Sequence, residues 1–269
     1  MVDLLLLEPG VRASVFLLVA ATLFLGERFR PRRPPRPLMH RVSNGALFLT
    51  NTLVLRLVSV TSLAGVAAMT HVNGWGLFGW TSAPEWLEAA VAIILLDLSM
   101  YLQHRLFHWV PWLWRLHAVH HSDTEFDFTT GLRFHLGEIL VSFALKAVTV
   151  LALGASVWVV IAFEALLSSA TLFTHANLEL PGPVDSALRN AVVTPDVHRI
   201  HHRPHRDEHD RNFGFLLICW DRLFGTYREH PSGTHREMRI GLDVHRSDED
   251  QTLSALLRQP FTRGGHTRR

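Results

Sequence analysis

Long apolar runs are the feature that most constrains the fold of this chain. Five such runs cover residues 4–25, 46–69, 86–102, 139–153 and 156–173. A helix needs about 20 apolar residues to cross a bilayer, and it satisfies its own backbone polar groups there. The last two runs are shorter and are interrupted near Gly154, as expected of a helical hairpin or of tilted spans. The runs predict an all-α integral membrane bundle of about four to five apolar helices.

The first run differs from a secretory signal peptide. It carries Asp3 and Glu8 near its start instead of lysine or arginine, and no small-residue cleavage site follows. A stiff, strongly basic segment comes next, at residues 27–37. Because basic loops are retained on the cytoplasmic side, we predict a spanning helix whose C-terminal end is cytoplasmic. An interfacial helix is the alternative.

The direction in which this first helix crosses the bilayer determines on which side of the membrane each later segment lies. Five crossings that start outside place residues 104–135, and everything after His175, in the cytoplasm. The polar C-terminal third, residues 185–269, is then predicted to form a cytosolic helical cap. Nearly every notable histidine lies on this side, although the arginines of 28–41 alone set the topology.

Histidine is unusually frequent in this chain. There are 18 histidines, against 24 acidic residues in total. Neutral imidazole is a common ligand for transition metals and titrates near neutral pH. The single cysteine, Cys219, excludes an internal disulfide framework and any multi-cysteine zinc or iron–sulfur site. The composition therefore indicates a metal site or an acid/base site built from histidine.

Eight of the histidines fall into three short motifs, HxxxH at 104–108 and HxxHH at 117–121 and 198–202. Residues three or four apart share one face of a helix, so both imidazoles of the first motif can reach one ion, and each HxxHH motif places three imidazoles on one helical face. Eight imidazoles are too many for one tetrahedral zinc and suit two metal ions. The predicted ligands are His104, His108, His117, His120, His121, His198, His201 and His202.

Four further side chains are candidates for this site. His175 ends the fifth apolar run, and we expect it to be a ninth ligand. His135 begins the fourth run, where a ligand role and a structural hydrogen bond are equally consistent with its position. Asp97 and Tyr101 share a helical stripe with the first motif. We expect Asp97 to orient a ligand through Tyr101, with a helix-packing hydrogen bond as the alternative. The histidines of the hydrophilic stretch 205–266 are expected to be solvated.

Ligand type alone leaves the metal open among zinc, copper, iron and nickel. Many neutral ligands around two ions fit a redox metal that activates dioxygen better than a closed zinc site. Two alternatives are a zinc-dependent membrane hydrolase, with three ligands and a glutamate base, and a metal transporter, with ligands near mid-membrane. The chain contains no HExxH, and its motifs lie at or beyond the ends of the apolar runs.

Residues 97–227 resemble the fatty acid hydroxylase superfamily, which also contains the sterol desaturases and sterol methyl oxidases. The three histidine motifs occur in the order typical of that family. Residues 130–138 are similar to its Arg-x-His-Pro-x-Glu element, with Leu136 in place of the proline. Residues 210–214 and 220–227 also look like family signatures.

The resemblance implies a non-haem di-iron centre whose ligands are the eight motif histidines, with His175 as a ninth. It implies O2-dependent hydroxylation or desaturation of a lipid C–H bond. Electrons would come from a separate ferredoxin, cytochrome b5-like protein or reductase, because the chain has no flavin or haem motif. Sterol-like lipids, carotenoids, ether lipids and fatty acyl lipids are all candidate substrates. Asn177 and Glu179 replace a histidine found in some fatty acyl members and favour the sterol desaturase-like branch.

These inferences combine into one predicted organisation. We expect a single fatty acid hydroxylase/sterol desaturase-like domain over residues 1–269. It would comprise membrane helices in 1–84, a catalytic core in 85–230 and a polar tail in 231–269, partly flexible after Ser247. The expected location is the inner membrane of a bacterium, with the site facing the cytoplasm and no nucleic-acid partner.

Overall fold

The computed structural model describes residues 2–34, 38–59 and 61–262, and helices dominate these ranges. Their only β-structure is two isolated bridges. The α-helices, in chain order, are α1 Val2–Phe29, α2 Leu38–Val58, α3 Leu63–Asn73, α4 Glu85–Trp109, α5 Pro111–His121, α6 Leu136–Leu153, α7 Val157–Thr174, α8 Gly182–Leu188, α9 Pro195–His201, α10 Arg206–His209, α11 Cys219–Leu223 and α12 Leu253–Arg258. The all-α prediction is confirmed. Residues 35–37 of the basic segment and His266 lie outside the described residues.

Four stretches are long and apolar enough to cross a membrane: Asp3–Phe29, Leu38–Trp80, Leu136–Leu153 and Val157–Thr174. Large apolar side chains on their outer faces are exposed, among them Leu17 and Leu18 of α1. Such faces require lipid as their neighbour, because water around them would be unfavourable. The chain is therefore a membrane protein.

The second apolar run, expected to be continuous over 46–69, is divided between two helices. α2 ends at Val58 and α3 begins at Leu63. The Ser62 hydroxyl caps α3 by accepting a hydrogen bond of 3.1 Å from the Gly65 N–H. A hydropathy window of about 19 residues averages over this break, because the link at 59–62 is only four residues long.

α2 is amphipathic with its polar face turned inward. Ser43, Asn44 and Asn51 are buried, whereas Leu49 and Leu53 are exposed. The buried amides have partners within the protein, since the Asn51 side chain donates a hydrogen bond of 2.7 Å to a backbone carbonyl before α6. This arrangement suits a helix whose outer face meets lipid.

Contacts at opposite ends of the bundle define the helix directions. Near the end of α1, Glu27 accepts hydrogen bonds of 2.8 Å from the backbone N–H groups of Phe128 and Asn177. At the other end, Trp158 at the start of α7 donates a hydrogen bond of 2.6 Å to Glu85 at the start of α4. α1, α4 and α7 therefore end on one side of the bundle, and α6 begins there.

The C-terminal segment packs on the bundle as far as it is described, in contrast to the partly flexible tail expected after Ser247. Leu256 of α12 is fully buried against Leu47 of α2 and Val119 of α5. A few apolar residues at helical spacing are enough to anchor a segment that is polar on average. Residues 263–269 lie outside the described residues.

Four ionisable side chains connect α1, α6 and α7 within the apolar part of the bundle. Arg12 Nη1 lies 2.9 Å from Glu8 and 3.0 Å from Glu164, and Lys146 Nζ lies 2.6 Å from Glu164. Two cations balance two carboxylates, which avoids an unpaired charge in surroundings where such a charge is costly. The cluster therefore holds three helices in register.

We expect Lys146→Met to destabilise the protein, because Glu164 then shares a single cation with Glu8. Removing one partner of a buried ion pair costs up to about 3–5 kcal/mol. Thermal unfolding of the purified protein, followed by circular dichroism in detergent, measures the effect. Lys146→Arg is the matched control and should unfold near the native temperature. Equal unfolding temperatures for the two variants would contradict the structural role of the cluster.

Candidate metal centre

Nine buried histidines converge where α4 and α7 end, and none is more than 5% exposed. They form two groups, and within each group the ring nitrogens that could bind a metal lie within 4.8 Å of one another. The first group consists of His104, His108, His117, His121 and His201. The second group consists of His120, His175, His198 and His202. All nine predicted ligands are thus brought together.

Each HxxHH motif contributes to both groups, although its three imidazoles share one face of the helix. In α5, His117 and His121 belong to the first group and His120 to the second. A helix turns by about 100° per residue, so His121 lies about 40° from His117, and His120 about 60° away on the other side. The pair four residues apart therefore stays together. In the third motif, His198 and His202 likewise form the pair that shares a group.

The inner ring nitrogens approach each other too closely and too often to be explained by hydrogen bonds alone. His175 Nε2 lies 3.1 Å from the Nε2 atoms of His120 and His198, and 3.2 Å from that of His202. A neutral imidazole has one N–H and one acceptor nitrogen, so it cannot satisfy three such partners. Among the described residues, neither ring nitrogen of buried His121 has a hydrogen-bond partner. A cation within each group would satisfy these nitrogens, so the residues fit a metal pair.

Burial keeps the imidazoles in their neutral form. Loss of water lowers the pKa of His117 to about 3 and that of His175 to about 4. The same desolvation, together with neighbouring imidazoles, holds the pKa of five other histidines well below the ordinary value: His120, His121, His198, His201 and His202. Neutral imidazole is the form that binds a metal ion. The site is therefore ready for metal at neutral pH.

Backbone carbonyls hold the outer nitrogens of three cage histidines. The Nδ1 atoms of His104, His175 and His201 each lie 2.7 Å from a carbonyl oxygen. The carbonyls belong to Phe213, Thr171 and Arg211, respectively. An acceptor at Nδ1 places the proton there and leaves the Nε2 lone pair directed at the centre. Main-chain acceptors leave no signal in a sequence motif, and sequence reasoning therefore missed them.

Two carboxylates reach the cage from outside. Glu138 Oε1 lies 2.7 Å from His117 Nδ1, and Asp210 Oδ1 lies 3.3 Å from His108 Nδ1. A carboxylate behind a metal-binding histidine fixes its tautomer and raises its basicity. Both residues occur in the family-like segments of the sequence, yet the motif spacing does not show which histidine each one contacts.

Asp97 and Tyr101 hydrogen-bond the loop that follows the third histidine motif, and the orienting role expected of them stays a prediction. Asp97 Oδ2 accepts hydrogen bonds of 2.9 Å from Trp220 Nε1 and 3.1 Å from the Leu217 N–H. The Tyr101 hydroxyl shares a hydrogen bond of 2.8 Å with Thr226. Within the described ranges, neither side chain hydrogen-bonds a cage histidine. The helical stripe placed them on the correct face of α4, but their partners lie far along the chain.

His135 lies outside both groups. Its Nδ1 accepts a hydrogen bond of 3.0 Å from the Gly137 N–H at the start of α6, and its Nε2 lies 3.2 Å from the Leu257 carbonyl. Of the two roles consistent with its position, His135 therefore has the structural hydrogen bond. His209, expected to be solvated, is buried and stacks on Trp114 with ring centroids 5.4 Å apart.

Comparison with known proteins places this geometry in a family. The fatty acid hydroxylase family model matches residues 89–226, about half of the chain. An ornithine lipid hydroxylase of Rhizobium tropici is 30% identical over 77% of this chain and 59% of its own length. Human alkylglycerol monooxygenase is 30% identical over 74% of this chain and 44% of its own length. A cholesterol 25-hydroxylase-like protein of Danio rerio is 27% identical over 52% of this chain and 55% of its own length.

No solved structure matches the chain. The chain spans about half the length of the curated relatives that it matches. The family match nevertheless contains all three histidine motifs, His175 and both carboxylates behind the cage. The residues that converge in space are thus the residues that the family model covers, and the chain belongs to the fatty acid hydroxylase family.

Proposed function

We propose that this chain is a membrane-bound non-haem di-iron oxygenase. It would hydroxylate or desaturate a C–H bond of a lipid, with O2 as co-substrate and electrons from a separate donor. The observation that carries the proposal is the convergence of nine buried, neutral imidazoles in two adjacent groups. Family membership supports it, as do the names of the relatives, which describe hydroxylation or monooxygenation of lipids.

The nine cage histidines are the proposed iron ligands. The five of the first group would hold one iron and the four of the second group the other. A pair of iron ions in this position supplies the oxidative chemistry, namely activation of O2 and removal of a hydrogen atom from the lipid. The competing hydrolase and transporter functions gain no support, because nine imidazoles exceed a hydrolytic zinc site and lie at helix ends instead of mid-membrane.

The protein itself orients the ligands and excludes water. Glu138 holds His117 in the tautomer whose Nε2 faces the first group. The His120 ring stacks on Phe134, with centroids 4.5 Å apart. Phe213 packs against His104 and His108 at 5.5 and 5.0 Å. Aromatic walls of this kind keep bulk water away from a reactive centre and prevent side reactions.

We further propose that the metal site faces the cytoplasm of a bacterial inner membrane. Basic residues support this orientation, because Arg28 lies in the last turn of α1, and Arg30 and Arg32 follow that helix on the same side of the bundle as the cage. Arg41, at the start of α2, forms an ion pair of 2.7 Å with Glu27 at the end of α1. The positive-inside rule assigns that side to the cytoplasm.

Two iron ions per chain are expected in the purified protein. His201→Ala and His202→Ala change adjacent residues of different groups, so each should lower the iron content towards one per chain and abolish lipid oxidation. Elemental analysis together with lipid product analysis measures both effects. His230→Ala, whose side chain is 79% exposed, is the control. Zinc alone, or full turnover by either cage variant, would reject the proposal.

Glu138→Gln should weaken iron binding without disturbing the bundle, because an amide keeps the shape of the side chain but is a weaker hydrogen-bond acceptor behind His117. Loss of such an outer carboxylate typically costs about 10–100-fold in metal affinity or activity. Iron release to a chelator, followed over time, measures the change. Glu229→Gln, an exposed carboxylate, should release iron like the native protein. Equal release rates for the two variants would show that Glu138 does not tune the ligand.

The orientation can be tested with single cysteines in a Cys219→Ser background. We expect an impermeant maleimide to label His230→Cys only in inside-out membrane vesicles. Asn73→Cys, at the end of α3 on the opposite side of the bundle, should be labelled only in right-side-out vesicles. The reverse pattern would place the metal site outside the cytoplasm.

A further inference from the structure

A groove of about 210 Å³ lies beside the metal centre, and none of the cage histidines lines it. One wall is a face of α7 formed by Leu166, Ser169, Ala170 and Phe173. The opposite wall includes Val193 and Phe215. All of these side chains are apolar except Ser169, whose hydroxyl donates a hydrogen bond of 2.8 Å to the Ala165 carbonyl within its own helix. The walls therefore present a surface that accepts hydrocarbon.

The wall opposite α7 is built by main-chain pairing. The Val193 N–H donates a hydrogen bond of 3.1 Å to the Leu216 carbonyl, and the Ile218 N–H donates one of 3.2 Å to the Ala191 carbonyl. Asp97 anchors the same segment through the Leu217 N–H. Because these backbone groups are paired, the segment can face an apolar space without a desolvation cost.

The groove opens where the bundle meets lipid. Leu166 at its outer end is 41% exposed, and α7 is one of the four candidate membrane spans. From Leu166 to Thr174 the helix rises about 12 Å, at about 1.5 Å per residue. The groove therefore leads from the depth of the lipid tails to the end of α7, where His175 enters the metal site.

Phe215 joins the inner end of the groove to the cage. Its ring centroid lies 5.0 Å from that of His104, and its side chain is 9% exposed. Val193 packs against Val197, the residue before His198. One layer of side chains thus separates the groove from both groups of histidines.

We propose that this groove binds one unbranched alkyl chain of the lipid substrate, with Phe215 forming the end nearest the metal ligand His104. The proposal rests on the oxygenase function proposed above. A lipid tail is as apolar as the groove, so shape decides selection more than hydrophobicity does. The volume lies below the range of about 300–1,000 Å³ that is usual for drug-sized ligands. This volume fits a single alkyl chain, whereas the fused rings of a sterol need a larger space.

Photo-crosslinking to the purified iron-loaded protein tests this site without relying on turnover. The probe is hexadecanoic acid with a diazirine at mid-chain, and the labelled peptides are mapped by mass spectrometry. We expect labels in the peptides that contain residues 166–173 and 215–217. A cholesterol analogue with a diazirine in its ring system should leave these peptides unlabelled. Labelling of the groove by the sterol probe, or fatty acid labels confined to α1 and α2, would overturn the proposal.

Variants that fill the groove make the test specific. Ala170→Trp, and the milder Ser169→Leu, should each lose fatty acid labelling of residues 215–217. Leu18→Trp, on the lipid-facing side of α1, should keep it. Iron content is measured on the same samples and shows that the variants remain folded. Undiminished labelling of the groove in both filled variants would refute the site.

These measurements can reject the oxygenase proposal or the groove proposal without rejecting the other. Chain labelling of the groove in a protein that binds no iron would reject the oxygenase proposal and keep the groove as a lipid site. Two irons per chain with labels outside the groove would keep the oxygenase and reject the groove.

Discussion

The structure depends on one constraint: nine imidazoles share a dry volume in which every ring nitrogen needs a partner. The inner nitrogens converge on two points, and Glu138, Asp210 or a backbone carbonyl holds several of the outer ones. Desolvation keeps the rings neutral, so they attract cations without repelling one another strongly. The chain must therefore bring the ends of α4, α5, α7 and α9 to one place, along with the loop at 211–213.

A second polar layer fixes the turn after α5, which follows His120 and His121. Asp123 accepts a hydrogen bond of 2.9 Å from Asn44, and buried Arg133 donates one of 2.8 Å to the Val119 carbonyl. The nearby guanidinium of Arg133 helps to hold the pKa of Asp123 well below its usual range, so Asp123 is ionised at neutral pH. This layer explains why α2 turns a polar face inward, because that face supplies the amide that completes the layer.

The division between membrane bundle and cytosolic cap is less strict than the hydropathy pattern indicates. The segment 213–226 belongs to the polar third of the chain, yet it binds Asp97 and Tyr101 along α4. Asp97 lies about 18 Å from the end of that helix, at about 1.5 Å per residue. By running along α4, the segment forms one wall of the apolar groove and places Phe215 against His104. The same loop therefore borders both the metal centre and the lipid-facing groove.

The sequence by itself determined the helical membrane class, the identity of the nine cage histidines and the family, because helical spacing and hydropathy are local properties. Only the tertiary structure decided how the histidines divide, since each HxxHH motif spans two directions on its helix. It also decided that His135 caps α6, that Asp97 holds residues 217–220, and that residues up to 262 pack on the bundle. The anchoring of residues 217–220 by Asp97 and the packing of α12 depend on contacts between residues more than a hundred positions apart. No local pattern records such contacts, because they arise only when separate helices pack together.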